Sequence, residues 1–105
     1  MATKFSLTPN PTFKRDVAIL VPGGKTASIN FTFKHKTRDE FKAFIEGLEG
    51  REDVDIVLDV ASGWALDDAF TEDNVSELTQ NYLGSARAIL DAYVAELSGA
   101  RKGNS

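Results

Sequence analysis

Cysteine is absent from this 105-residue sequence, which excludes disulfides, thiolate metal ligands and cysteine nucleophiles. No run of about 18 apolar residues is available to cross a bilayer. The opening stretch, MATKFSLTPNPTFKRD, lacks the apolar core of a secretory signal. The expectation is a soluble cytoplasmic protein with no membrane partner. Positive charge is also scarce. Twelve Lys and Arg against 16 Asp and Glu leave a net charge of −4, which argues against general nucleic-acid binding because neutralising phosphates takes clustered basic residues.

Histidine occurs once, as His35 between Lys34 and Lys36. That setting suits an exposed strand end better than the oriented base that a Ser-His-Asp arrangement requires. No G-x-G-x-x-G, Cys/His cluster or basic aromatic ladder is present. Gly23-Gly24-Lys25 lacks the frame of a phosphate loop and lies between two strand patterns, so it reads as a turn. Carboxylates are abundant, but their spacing matches no cation-binding loop. Asp53-Val54-Asp55-Ile56-Val57 already breaks the calcium-loop pattern, and the acidic residues at 67, 68, 72 and 73 suit solvated surfaces and favourable positions near a helix N-terminus. No catalytic residue, metal ligand or cofactor site is expected.

What is present describes a globular domain. With 42% hydrophobic residues the chain can build a core, and at this length it buries roughly two thirds of the surface exposed when unfolded. Charge is unevenly spread. Met1 to Arg51 holds nine Lys/Arg against five Asp/Glu (+4), whereas Glu52 to Ser105 holds three against eleven (−8). Opposite halves of this kind can steer a partner, or a second copy head to tail, with an effect that salt weakens.

Pro9 and Pro11 predict an extended arm over 1–14. Val17, Ile19 and Val21, then Ala27, Ile29, Phe31 and Phe33, recur at every second position, and Pro22-Gly23-Gly24 divides them. A β-hairpin over 15–34 follows. The period then lengthens. Thr37 to Glu40 forms a capping box, and Phe41, Phe44, Ile45 and Leu48 take helical spacing up to Gly50, with the aromatics expected against the hairpin. Residues 52–61 fit a helical face and also alternate like a strand; the acidic start and Gly63 beyond favour helix. Residues 62–69 read as a loop carrying the sole tryptophan. Thr71 is an N-cap, with Phe70 placed to staple against Val75, for a helix reaching about Tyr82. Ser85 is expected to cap a last helix, striped by Ile89, Leu90, Tyr93, Val94 and Leu97 and closed at Gly99. The fold class is α+β, a single domain of 1–105: an N-terminal β-hairpin packed against about four α-helices spanning 37–99, with a flexible tail at 100–105.

For binding, Trp64, Leu66, Asp67, Asp68 and Phe70 stand out, as large apolar residues beside carboxylates in a loop are common interface anchors. Insertion of Trp64 into the core is the alternative.

Read together, Pro9 to Lys14, Val21 to Lys25, Phe31 to Glu40, Ser62-Gly63-Trp64 with Asp67 to Phe70, and the final helix from Ala86 to Gly99 resemble the tail assembly chaperones of long-tailed bacteriophages, in order along nearly the whole chain. The resemblance implies a small non-enzymatic protein, from a phage or prophage, that coats the tape-measure protein, helps tail-tube subunits polymerise around it and is absent from the finished virion. It also implies a longer form, made by a −1 ribosomal frameshift, whose extension engages the tail-tube protein. Lys102-Gly103-Asn104 can be encoded as AAG GGA AAY, which contains the slippery heptamer G GGA AAY. The competing expectations are a regulatory protein acting on a host factor and an enzyme with a carboxylate metal site.

Overall fold

A computed structural model describes residues 5–99 of the chain. Strands β1 (Thr12–Val21) and β2 (Lys25–Lys34) form an antiparallel hairpin, in register from Thr12 opposite Lys34 to Val21 opposite Lys25. Gly23 and Gly24 adopt φ of +108° and +89° in the turn, where a Cβ would be strained. The strand begins at Thr12, so the last three residues assigned to the arm belong to the sheet. Packing decides this. Phe13 lies opposite Phe33 with ring centroids 5.7 Å apart and stacks on Tyr93 at 6.1 Å.

Thr37 closes the expected capping box on α1 (Arg38–Glu46): its hydroxyl accepts from the Glu40 N–H at 3.2 Å, and its own N–H donates to the Glu40 carboxylate at 2.9 Å. The backbone bond holds the Glu40 carboxyl below its ordinary range. This helix ends at Gly47, short of the expected Gly50, which instead takes φ +84° in the turn that follows. Phe44 meets Tyr93 edge-on at 6.3 Å, and Tyr93 meets Phe33 at 5.3 Å, so α1 is tied toward the sheet through the last helix.

Residues Asp53–Val60 are helical (α2), and Val57 and Val60 are fully buried. At Ala61 the backbone turns extended and runs directly into β3 (Ala61–Trp64), which pairs antiparallel with β2 through Phe31–Trp64 and Thr32–Gly63. The expected loop over 62–69 therefore begins as a strand, and the helical part contains a third sheet member. Helix α3 (Glu72–Asn81) starts at Thr71, whose hydroxyl accepts from the Asn74 N–H, and α4 (Ser85–Ser98) ends at Gly99 with φ +77°. Gly84, not Ser85, is the cap of α4; Ser85 lies inside the first turn, 1% exposed, its hydroxyl without a partner among the described residues.

The result is an α+β domain with sheet order β1-β2-β3 and α2 central, touching β2, β3, α3 and α4. The core combines Phe31 and Phe33 with Val57, Val60, Val75, Ile89 and Tyr93, each such side chain contributing about 1.5–3 kcal/mol by leaving water.

Candidate functional site

The inward-facing residues of the hairpin change character along its length. Near Thr12 and Lys34 they pack under α4, with Phe33 fully buried and Phe13 partly so. Toward the turn, Ile19, Val21, Ala27 and Ile29 form one wall of an open groove of about 480 Å³. The other wall comes from Trp64 at the end of β3, Leu66 in the bend after it, and Leu78 and Tyr82 at the end of α3. Leu66 is 40% exposed and Ile19 only 3%, so Leu66 stands at the open lip of the groove and Ile19 at its covered floor.

Trp64 is fixed in this wall rather than free to turn. Its ring meets Phe31 edge-on at 6.0 Å and Phe70 at 5.1 Å, contacts worth about 0.5–1.5 kcal/mol each beyond burial. Its indole N–H donates to the Asp68 carbonyl at 2.7 Å, which closes the bend carrying Leu66. The Ala65 N–H donates to the Asn30 carbonyl at 2.9 Å, and the Asn74 side chain donates to the Ala69 carbonyl at 2.7 Å, so the segment is held at both ends. Trp64 is half-buried: it belongs to the edge of the core and to the groove at once.

The rim is acidic. Asp68 and Glu77 border the groove with Asn74, Asn81 and Ser28. The stretch from Glu52 to Ala86 contains nine Asp/Glu and no Lys, Arg or His. The ion pairs found among the described residues are Arg15–Glu96, Lys36–Asp59, Arg51–Asp59 and Arg87–Asp91, so of those nine carboxylates only Asp59 is neutralised.

Asp59 belongs to a different cluster at the other end of the hairpin. It accepts from Lys36 at 3.0 Å and Arg51 at 2.7 Å. Partial burial opposes its charge, but these two bonds prevail and hold the carboxyl below its ordinary range. Tyr93 donates its hydroxyl to the Lys34 carbonyl at 2.8 Å, and burial pushes the phenol far above its ordinary range, with Asp59 and Glu40 adding to the effect. The bonds to Lys36 and Lys34 tie α2 and α4 to the residues at and just after the end of β2. Among the described residues no three His, Asp or Glu converge to hold a metal ion, and no helix is long and apolar enough to cross a membrane.

Of the residues singled out from the sequence, Trp64, Leu66 and Asp68 line the groove. Phe70 braces Trp64 from behind, half-buried, and Asp67 is exposed outside the lining. Lys102, Gly103 and Asn104 lie outside the described residues. The hairpin wall, Leu78, Tyr82 and Glu77 were missed. The stretch without a basic residue was the available signal for Glu77; nothing local marked the hairpin wall, whose alternation is the same as that of the sealed end.

The sequence model of a family described as phage tail assembly chaperone matches residues 1–104. No curated protein and no solved structure matches the chain.

Proposed function

This chain belongs to the phage tail assembly chaperone family, and on that premise we propose that it binds the tape-measure protein, promotes polymerisation of tail-tube subunits around it, and leaves before the virion is complete. Family membership implies a non-enzymatic role with protein partners in tail assembly. The observation that carries the finer reading is the open apolar groove between the hairpin and α3, with Trp64 and Leu66 in its wall. A long helical client exposes apolar stripes that would aggregate, and a small protein with an apolar groove and a charged rim shields such a stripe reversibly. The work takes place in the host cytoplasm, and a longer frameshifted form contacts the tail-tube protein. Separation of charge between the two halves of the chain supports several copies lining up on one client.

Co-expression with the tape-measure protein tests this. The native chain copurifies with it and keeps it soluble, while Leu66→Asp, at an exposed site, folds normally and loses the client. Failure of the native chain to hold the tape-measure protein overturns the reading.

A further inference from the structure

We infer that the groove between the hairpin and α3 takes an amphipathic helix whose apolar stripe is bordered by Lys or Arg along one side, and that Asp68 and Glu77 select for that border. The inference rests on the chaperone reading above and narrows it from a client to a client chemistry.

Three observations lead to it. First, about 480 Å³ of open groove accommodates a few side chains and not a whole helix, which is about 10–12 Å across with its side chains. What fits is a row of knobs from a helix lying along the lip, spaced at i, i+3, i+4 and i+7. Second, both walls are apolar where such knobs would enter: Val21 and Ile29 on one side, Leu66, Leu78 and Tyr82 on the other.

Third, the charge is confined to one wall. The hairpin side of the groove contributes Ile19, Val21, Ala27, Ser28 and Ile29 and no carboxylate, whereas Asp68 and Glu77 stand on the side of Trp64 and α3. Neither carboxylate has a cationic partner among the described residues, and no Lys, Arg or His occurs from Glu52 to Ala86 to supply one. Glu72 and Asp73 in the first turn of α3 extend the field of the same sign. A helix with acidic borders meets repulsion there, and one with neutral borders leaves the carboxylates unmatched. Basic residues on the side facing α3 remove both costs and fix which way round the helix lies.

Trp64 is the chain's only tryptophan and lines the groove, so its emission reports occupancy. Two tryptophan-free peptides of about 18 residues, long enough for a marginal helix, carry the same leucine stripe and differ only in a Lys or a Glu border. Titrated into the full chain at low salt, the Lys peptide shifts the emission and binds about five- to tenfold more tightly than the Glu peptide, as expected for two exposed ion pairs. Calorimetry run in parallel gives the same ratio, which falls toward one at about 1 M salt. The double variant Asp68→Lys with Glu77→Lys reverses the order, and Leu66→Asp weakens both peptides. Should the double variant fail to fold by circular dichroism, Glu77→Gln alone reduces the ratio.

Equal affinities at low salt overturn the inference, as does an unchanged order in the charge-reversed protein or no emission shift with either peptide. Tape-measure copurification without a preference for the Lys peptide sinks this inference and leaves the chaperone function standing. A Lys preference without tape-measure binding upholds the groove chemistry and removes the client.

Discussion

At the end of the hairpin where Thr12 pairs with Lys34, the inward residues Phe13, Phe31 and Phe33 are covered by Tyr93 and the helices around it. At the end where Val21 pairs with Lys25, the same face carries Val21, Ala27 and Ile29 beside an open groove. Both ends have the same alternation and the same twofold backbone geometry. The sealed end is further tied by Asp59 to Lys36 and Arg51 and by Tyr93 to the Lys34 carbonyl. The open end instead has carboxylates without ion-pair partners among the described residues. Alternation specifies which face of a strand is apolar; it leaves undetermined whether the protein itself or a partner covers that face.

The contrast can be broken or sharpened by substitution. The largest expected effect is at the sealed end: Phe33, 0% exposed, becomes a cavity in Phe33→Ala, and urea unfolding should show a loss of about 3–5 kcal/mol. If Leu66→Ala cost as much, the groove would be a second core and the contrast would collapse.

Asp59→Asn comes next, with a loss of about 1–2 kcal/mol, kept modest because the carboxylate is partly exposed. The pH dependence has a definite sign. A folded-state value below the ordinary 3.8 means that stability from Asp59 is present above pH 3.8 and is lost as pH falls through the folded value. Thermal melts from pH 7 to 3 should fall less steeply at the acid end in Asp59→Asn than in the native chain.

Tyr93→Phe removes one hydrogen bond from an otherwise intact ring stack, a cost of about 1 kcal/mol. The phenol is raised above its ordinary 10.0, so its contribution is present below that pH and lost as pH rises beyond it. An alkaline titration of stability should therefore flatten in this variant. Smallest is Leu66→Asp, within about 0.5 kcal/mol of native in urea unfolding because the site is exposed. Its loss of client with unchanged stability is the outcome that most clearly separates the two ends.

Much of the framework was legible where local chemistry decides. The hairpin turn needed glycines at positive φ, and Gly23 and Gly24 supply them. Thr37 and Thr71 were recognisable caps because each hydroxyl has a backbone donor within reach along the chain. The third strand was not legible. Ala-Ser-Gly-Trp has weak strand character, and Ala61–Trp64 is extended because Phe31 and Thr32, some thirty residues earlier, offer an edge to pair with. The same applies to Thr12, recruited to the sheet with Phe13, and to Ser85, buried inside a helix it was expected to cap. Within the groove, Trp64 and Leu66 could be read as large apolar residues beside carboxylates, whereas Val21, Ala27 and Ile29 could not be told from the residues sealed at the other end.

By itself, then, the sequence determined the apolar faces, the change of period after Lys34, two helix caps and the negative charge of the second half, because each depends on neighbours within a turn or a strand. The tertiary structure decided that β3 joins the sheet, that Tyr93 covers one end of the hairpin and that the other end faces a groove with Trp64 and α3. Those outcomes depend on surfaces brought together from distant parts of the chain, and burial there is settled by what packs opposite, which no local pattern encodes.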